Sequence, residues 1–196
     1  MMPVLEIPRA DEYLRLLEER LPEKTLRHTL SVASMMHGLV DKAGIERVPA
    51  ITAGLLHDYC KAMKPDALLA AAEAYGVPIN DAQRRKPNLL HGPVAAEEVK
   101  CELGVDDEDV YEAIYWHTTG KPGLGRVGQA LYLADFCEPM RTISEAADAR
   151  RILERDGFDA ALLFAARKKV AHVRTKSAVD PNTEAFVEWL ESEFVD

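Results

Sequence analysis

Prolines and glycines divide this chain into a succession of helical segments, and this division restricts the fold more than any other feature. Five prolines stand near the start of segments whose apolar residues recur at helical spacing, where a missing N–H costs little. These are Pro22, Pro49, Pro65, Pro93 and Pro181. Three glycines stand where such segments end: Gly44, Gly76 and Gly104. No stretch alternates apolar and polar residues as a half-buried strand does, so the chain is predicted to be all-α.

Apolar periodicity predicts ten helices. They cover residues 9–20, 23–42, 48–60, 65–75, 93–103, 106–117, 124–138, 144–155, 157–175 and 181–194. The longest predicted loop runs from Gly76 to Pro87, and a second loop, TTGKPGLG, directly follows His117. No repeat, low-complexity tract or linker interrupts the 196 residues, so one domain over 1–196 is expected.

Composition and charge argue against several classes of protein. No run approaches the roughly 20 apolar residues of a membrane span, and the N-terminus does not resemble a signal peptide. Three cysteines without metal-type spacing argue against a disulfide framework, so a cytoplasmic protein is expected. The net charge of −9 disfavours a nucleic acid polymer, because phosphate contacts need clustered Lys and Arg. Several basic residues nevertheless lie mid-chain near the histidines, which suits a small anionic ligand.

Two aspartates fall on apolar helical stripes. Asp58 follows Ile51 and Leu55 at helical spacing, and Asp135 follows Leu131 in the same way. An unpaired carboxylate in a core is very costly, so a buried aspartate is expected to be paired or to bind a metal. Arg and Lys are absent from both stripes. A cation from solution is therefore the simplest partner for these carboxylates.

Four histidines accompany these aspartates. A single buried histidine is more often a hydrogen-bonded core residue than a ligand, so the prediction depends on the whole set. The six candidate ligands are His28, His57, Asp58, His91, His117 and Asp135. Imidazoles with carboxylates suit iron, manganese, cobalt or zinc better than calcium. Six ligands can hold two divalent ions if one carboxylate bridges them.

The order of these residues resembles a known family. The pair in GLLHDYCK, with a histidine before it and a distant aspartate after it, resembles the HD superfamily of metal-dependent phosphohydrolases. Five motifs together are similar to the YqeK-type symmetrical diadenosine tetraphosphatases: RHTLSVA, AGLLHDYCK, LLHGPVAAE, AIYWHTTGKPG and LYLADFCEPMR. The likeness covers residues 24–141, and helices in 142–196 would complete a single HD-domain helical bundle around a central metal site.

The resemblance implies a division of the ligands between two ions. His28, His57, Asp58 and Asp135 would hold the first ion. Asp58 would bridge to the second, which His91 and His117 would complete. The resemblance also implies ferrous iron, with manganese or cobalt as alternatives, and hydrolysis of diadenosine tetraphosphate to two ADP. The oligomeric state is left open, with a homodimer as one alternative.

Catalytic roles are expected for Asp58 and for Lys61, which would share a helical face with His57 and neutralise phosphate. Alternatively, Lys61 is a surface residue. Further phosphate contacts are expected on the loops and on the segment after EPM, although loop cations are often merely solvated. These substrate candidates are Arg84, Arg85, Thr118, Thr119, Arg126 and Arg141.

Three other functions are open at this point. A di-iron oxygenase of the HD type would use the same ligand types, although the basic surroundings favour phosphate. A generic HD-domain nucleotidase or phosphatase would differ only in its preferred substrate. A non-catalytic nucleotide-binding module is the third alternative, but such modules tend to lose ligands and all six stand here.

Overall fold

The computed structural model describes residues 6–176 and 179–194, and the regular structure in these ranges is entirely helical. This confirms the predicted all-α class. The helices are α1 Ala10–Arg20, α2 Glu23–Ala43, α3 Arg47–Leu56, α4 Pro65–Ala74, α5 Asp81–Arg85, α6 His91–Cys101, α7 Glu108–Trp116, α8 Arg126–Cys137, α9 Ser144–Arg155, α10 Phe158–Arg174 and α11 Pro181–Phe194. A 3₁₀ turn spans Pro87–Leu90.

The predicted helix boundaries mostly agree with the structure to within three residues. Pro22 directly precedes α2, and Pro65 is the first residue of α4. Helix α2 ends before Gly44, whose φ of 64° is left-handed and whose N–H donates to the carbonyl oxygen of Val40. These prolines and glycines therefore mark where the helices begin and end.

The end of α3 differs from the prediction. The sequence predicts a helix over 48–60, but α3 ends at Leu56, and His57 and the residues after it form successive turns. The His57 ring donates from Nδ1 to the carbonyl oxygen of Gly54 at 2.8 Å. That oxygen is the acceptor that the N–H of Asp58 would use if the helix continued. The histidine side chain thus replaces a backbone hydrogen bond at the point where the helix stops.

The predicted loop from Gly76 to Pro87 is also wrong in part, because it contains α5. Asn80 and Gln83 form a capping box in which each side chain accepts from the other's backbone N–H, both at 2.9 Å. The spacing of Asn80 and Gln83 is a helix-start signal that periodicity over only five residues does not reveal. Arg84 and Arg85 therefore lie at the end of a short helix.

Helices α2, α3, α7 and α8 form the packing unit that surrounds the candidate site. Helix α2 packs against α3 and α8, and α7 packs against α3, α6 and α8. The approach of α2 to α3 is close, since a Cβ on Gly54 would lie 2.9 Å from Cα of Ala33. The small residues before His57 therefore leave room for α2. Helix α10 packs against α8, α9 and α11.

One apolar cluster runs through the described residues from Leu17 in α1 to Leu190 in α11. Within these residues, no helix combines the length and apolar character needed to cross a membrane.

Candidate metal centre

Three of the candidate histidines are oriented by the backbone in the same way. His57, His91 and His117 each donate from Nδ1 to the carbonyl oxygen three residues earlier. The distances are 2.8 Å to Gly54, 2.6 Å to Asn88 and 2.7 Å to Ile114. Since Nδ1 carries the proton in each ring, Nε2 is left with a lone pair. All three rings are buried; His57 belongs to one group of possible metal ligands, and His91 and His117 belong to another.

The lone pairs are arranged as metal ligands are. Nε2 of His91 and Nε2 of His117 lie 2.9 Å apart, and Oδ1 of Asp58 lies 3.1 Å from Nε2 of His91. Nε2 of His57 is buried and has no hydrogen-bond partner. Divalent ions bound beside these nitrogens would be coordinated by their lone pairs. Burial lowers the pKa of His57 and lowers that of His117 to about 3, so both rings are neutral and able to bind metal near pH 7.

Asp58 belongs to two groups of possible ligands. One group is His28, His57 and Asp58, and the other is Asp58, His91 and His117. Its Oδ1 lies 3.1 Å from Nε2 of His91, while its Oδ2 lies 3.6 Å from Nε2 of His57. Burial acts to raise the pKa of Asp58, but the surrounding imidazoles and Lys61 hold it well below its usual range. The position of the ionised carboxylate between the two groups fits a bridging ligand.

Asp135 and His28 meet across α8 and α2. Nε2 of His28 lies 3.1 Å from Oδ1 of Asp135, and its Nδ1 lies 3.2 Å from Oε1 of Glu138. Burial alone would lower the pKa of His28, but Asp135 and Glu138 raise it. Burial would likewise raise the pKa of Asp135, whereas His28, Lys169 and Arg141 hold it well below its usual range. Glu138 thus orients the ring of His28, whereas backbone carbonyl oxygens orient the other three rings.

Three cationic side chains surround these ligands. Nζ of Lys61 lies 3.2 Å from Oδ1 of Asp58 and 3.1 Å from Nε2 of His91. Nη2 of Arg141 donates to Oδ1 of Asp135 at 2.9 Å. Nζ of Lys169 donates to the carbonyl oxygen of His117 at 3.3 Å. Burial lowers the pKa of Lys169 to about 8. Lys61 and Arg141 therefore lie beside the candidate ligands, and Lys61 reaches this position from a turn rather than from a helical face. Their contact with phosphate stays a prediction.

The remaining substrate candidates fall into two groups. Oγ1 of Thr118 lies 3.1 Å from Nε2 of His117, whereas Thr119 is buried and makes no such contact among the described residues. Arg126 begins α8, and nine residues at about 1.5 Å each separate it from Asp135 along the helix. Its guanidinium pairs there with Asp159 at 2.6 Å.

Arg84 and Arg85 are exposed on α5. No described contact joins either guanidinium to the six candidate ligands. The structure thus places Thr118, Lys61 and Arg141 next to the candidate ligands. The other four substrate candidates make no described contact with the ligands: Thr119, Arg84, Arg85 and Arg126.

Sequence reasoning misses two residues at the centre. Glu138 follows the end of α8, and its place in the motif LYLADFCEPMR is the available signal. Lys169 stands beside Lys168 in a basic segment that is typical of an exposed helix face. Helix α10 turns Lys169 inward, so that its ammonium lies 4.1 Å from the ring centroid of Tyr132. Only the packing of α10 on α8 distinguishes the two lysines.

Comparison with known proteins agrees with this geometry. The HD domain family matches residues 25–152, which is more than half of the chain. The chain belongs to the HD domain family. The match includes all six candidate ligands and confirms the resemblance expected from the motifs.

Two relatives of this HD-domain protein are named bis(5'-nucleosyl)-tetraphosphatase, symmetrical. The relative from Bacillus subtilis is 30% identical over 184 residues, covering 93% of this chain and 97% of the relative. The relative from Staphylococcus aureus is 34% identical, covering 73% of each chain.

A solved structure from Clostridium acetobutylicum, described as a predicted HD superfamily hydrolase involved in NAD metabolism, has a TM-score of 0.88. It is 29% identical and covers 93% of this chain and 97% of that one. The likeness therefore extends well beyond the matched HD domain and includes the C-terminal helices.

Proposed function

We propose that this HD-domain protein hydrolyses diadenosine tetraphosphate symmetrically, releasing two ADP, with two divalent ions at the centre. The observation that carries the proposal is the place of Asp58 in two ligand groups at once, with Lys61 and Arg141 beside them. Two ions bridged by a carboxylate form the arrangement that enzymes use for displacement at phosphorus. The names of the two relatives supply the substrate.

The ligands would be divided as the resemblance implies. His28, His57, Asp58 and Asp135 would hold one ion, and Asp58 would share the second with His91 and His117. Bound divalent ions supply Lewis acidity, which polarises phosphoryl oxygens and activates water at neutral pH. We propose iron as the native metal. Imidazole and carboxylate ligands also accept manganese and cobalt.

The side chains around the ligands would bind and orient the substrate. The Lys61 ammonium is 45% exposed and can turn from Asp58 towards a phosphoryl oxygen, where it would offset the charge that develops there. Arg141 is 43% exposed and offers a planar guanidinium to the same chain of phosphates. The hydroxyl of Thr118 is placed to donate a hydrogen bond beside His117. These groups would hold the reacting phosphoanhydride over the metal centre.

Product analysis tests the proposal directly. Protein loaded with iron under anaerobic conditions should convert diadenosine tetraphosphate to ADP alone. Formation of ATP and AMP would mean attack at a different phosphorus, and faster hydrolysis of mononucleotides would favour a generic nucleotidase. A strict requirement for oxygen would instead favour the oxygenase alternative.

Substitution of Lys61 tests the phosphate contact. Lys61→Met keeps side-chain length and removes the charge, so the bound metal should be retained while kcat falls about 10- to 100-fold. A fall in kcat indicates stabilisation of the transition state, whereas a raised KM alone indicates ground-state binding. Lys42→Met, on the exposed side of α2, is the matched control and should leave both constants unchanged. Full activity of Lys61→Met would make Lys61 a surface residue.

A further inference from the structure

Two clefts adjoin the candidate metal centre. The first has a volume of about 560 Å³ and is lined by the ligands His28 and Asp58 together with Lys61 and Met140. The second has a volume of about 410 Å³ and is lined by the ligand Asp135 together with Lys169 and other residues of α10. Both volumes are in the range of small-molecule sites, roughly 300–1,000 Å³. Because ligands line each cleft, a molecule reacting at the centre has space to extend in two directions.

The segment between α8 and α9 forms a wall shared by the two clefts. Arg141 and Ile143 line both of them. The Ile143 side chain is 52% exposed, which is unusual for a large apolar residue in this chain. An exposed apolar side chain next to a cation offers one surface for a nucleoside and another for its phosphates.

Lys169 supplies the second cleft with a cation that has no close carboxylate partner. Its nearest carboxylate oxygen, Oδ2 of Asp135, lies 3.9 Å away, beyond hydrogen-bonding distance. The other oxygen of that carboxylate already accepts from Arg141 at 2.9 Å. The Lys169 side chain is only 22% exposed, and its ammonium contacts the carbonyl oxygen of His117 and the ring of Tyr132 rather than a directly hydrogen-bonded carboxylate. An anion in the second cleft would supply the opposite charge at hydrogen-bonding distance.

The charges around the centre leave room for such an anion. Three cations and three carboxylates balance one another: Lys61, Arg141, Lys169, Asp58, Asp135 and Glu138. These side chains therefore do not neutralise the charge of a bound divalent metal, and an anionic ligand would neutralise it. A chain of phosphates that passes over the metal and reaches both Lys61 and Lys169 would use cations from both clefts.

The position of Lys169 in the sequence separates it from the matched HD domain. The match ends at residue 152, so it contains the six ligands and Lys61 but not α10. Lys169 and His172 line the second cleft from this added helix, and the partly buried Phe136 also lines it. The aromatic rings of the cleft can stack on a nucleobase. The C-terminal helices thus complete a binding surface that the HD domain alone lacks.

We propose that Lys169 and the second cleft bind the second nucleoside diphosphate unit of a dinucleotide, while the first cleft binds the other unit. This inference rests on the proposed function and extends it, because it explains how two equal products could form. The reacting phosphoanhydride would lie over the metal centre, with one half of the substrate in each cleft. The preference for a dinucleotide over a mononucleotide would then reside in α10.

Titration of the metal-loaded protein with ADP tests this proposal without requiring turnover. Calorimetry should give two ADP bound per wild-type chain, one in each cleft. Lys169→Met should retain one ADP at unchanged affinity and bind the second about 10- to 100-fold more weakly. Lys176→Met, an exposed position just after α10, is the matched control and should still bind two ADP. Because Lys169 is not a ligand, elemental analysis should find the same metal content in all three proteins.

Three results would overturn the proposal: one ADP per wild-type chain, two ADP at unchanged affinity in Lys169→Met, or loss of both ADP in that variant. The last would mean that Lys169 serves the centre as a whole. The stoichiometry is read independently of catalysis, so a protein that binds two ADP but leaves diadenosine tetraphosphate intact would contradict only the proposed function.

Discussion

His28 is the candidate ligand whose ring is held by another side chain rather than by a nearby carbonyl group. Its partner, Glu138, is buried and accepts hydrogen bonds from the hydroxyl of Ser31 and the backbone N–H of Met140 through Oε2. The carboxylate is therefore fixed before it meets His28. Carboxylates that orient a ligating imidazole also raise its basicity, so Glu138 should affect the metal without touching it.

Glu138→Gln should weaken metal binding about 10- to 100-fold, because an amide cannot supply the charge that orients and polarises His28. Competition with a chelator of known affinity measures this directly, and the loss should concern the ion held by His28. Glu154→Gln removes an exposed carboxylate from α9 and is the control. Unchanged metal affinity in Glu138→Gln would restrict Glu138 to a structural role.

Individual residues also show what the sequence could and could not predict. The two aspartates are recognisable because each interrupts an apolar stripe, where a polar residue needs a partner, and the four histidines are recognisable as a set with them. Glu138 follows the end of α8, and no periodicity indicates the direction of its side chain. Lys169 stands beside Lys168, and both would suit an exposed face. The sequence therefore predicts candidate ligands, but the groups that orient them depend on tertiary packing.

At the level of helices, the positions of the helix ends place the candidate ligands more directly than the helix lengths do. Helix α3 stops one residue before His57, α6 begins at His91, and α7 stops one residue before His117. Prolines and glycines predicted most helices to within three residues, but the stop at Leu56 depends on the His57 ring, which occupies a carbonyl group. Such competition between a side chain and the backbone is a local effect at the helix end, so helical periodicity does not reveal it.

Gly92 provides a test of how closely the helices fit around a ligand. A Cβ at this position would lie 2.9 Å from the carbonyl oxygen of Ile114 and 3.1 Å from Cε1 of His117. Gly92→Ala should therefore destabilise the fold by about 1–3 kcal/mol and displace the His117 ring, which lowers metal affinity.

Gly38→Ala is the matched control, because Gly38 lies in α2 where an added methyl group would meet no other atom within 4 Å. It should stabilise the protein by about 0.5–1 kcal/mol through helix propensity alone. Denaturant unfolding of both variants, with metal content measured in parallel, distinguishes the two effects. Equal stability of the two variants would mean that α6 and α7 separate readily.

Across the whole molecule, the candidate ligands join helices that are distant in sequence. They come from α2, the turn after α3, α6, the residue after α7, and α8. Without metal, the fold has to bury imidazoles with lowered pKa values, His57 and His117, in neutral form. Protonation of these rings and metal binding are therefore mutually exclusive, and both are coupled to the stability of the entire bundle.

The metal-free protein should lose stability as the pH falls below about 6.5, the usual histidine pKa. Below that value the unfolded chain binds protons that folded His57 and His117 do not, since the pKa of His117 is about 3 when folded. The His117 ring should contribute a slope of about 1.4 kcal/mol per pH unit, and the lowered pKa of His57 adds a slope of the same sign. The raised pKa of His28 has the opposite sign, but its contribution is complete below pH 6.5 and does not change that slope.

Urea unfolding of chelator-treated protein between pH 6 and pH 4 measures the slope. His117→Gln should reduce it by about 1.4 kcal/mol per pH unit, because one of the two buried neutral rings is gone. Metal-loaded wild type should be more stable than the stripped protein at pH 7, since metal binds the folded state. A flat profile for the stripped wild type would show that the two rings accept protons while the protein is folded.

The hydrogen bonds from His57, His91 and His117 to their own carbonyl groups have a consequence for metal supply. These rings are already oriented before an ion arrives, and a fixed set of imidazole ligands favours divalent ions in the general order in which nitrogen ligands do. In that order ferrous iron ranks below cobalt, nickel, copper and zinc. If this site uses iron, the competing ions would have to be scarce where the protein acquires its metal, so correct metallation would depend on metal availability rather than on the protein.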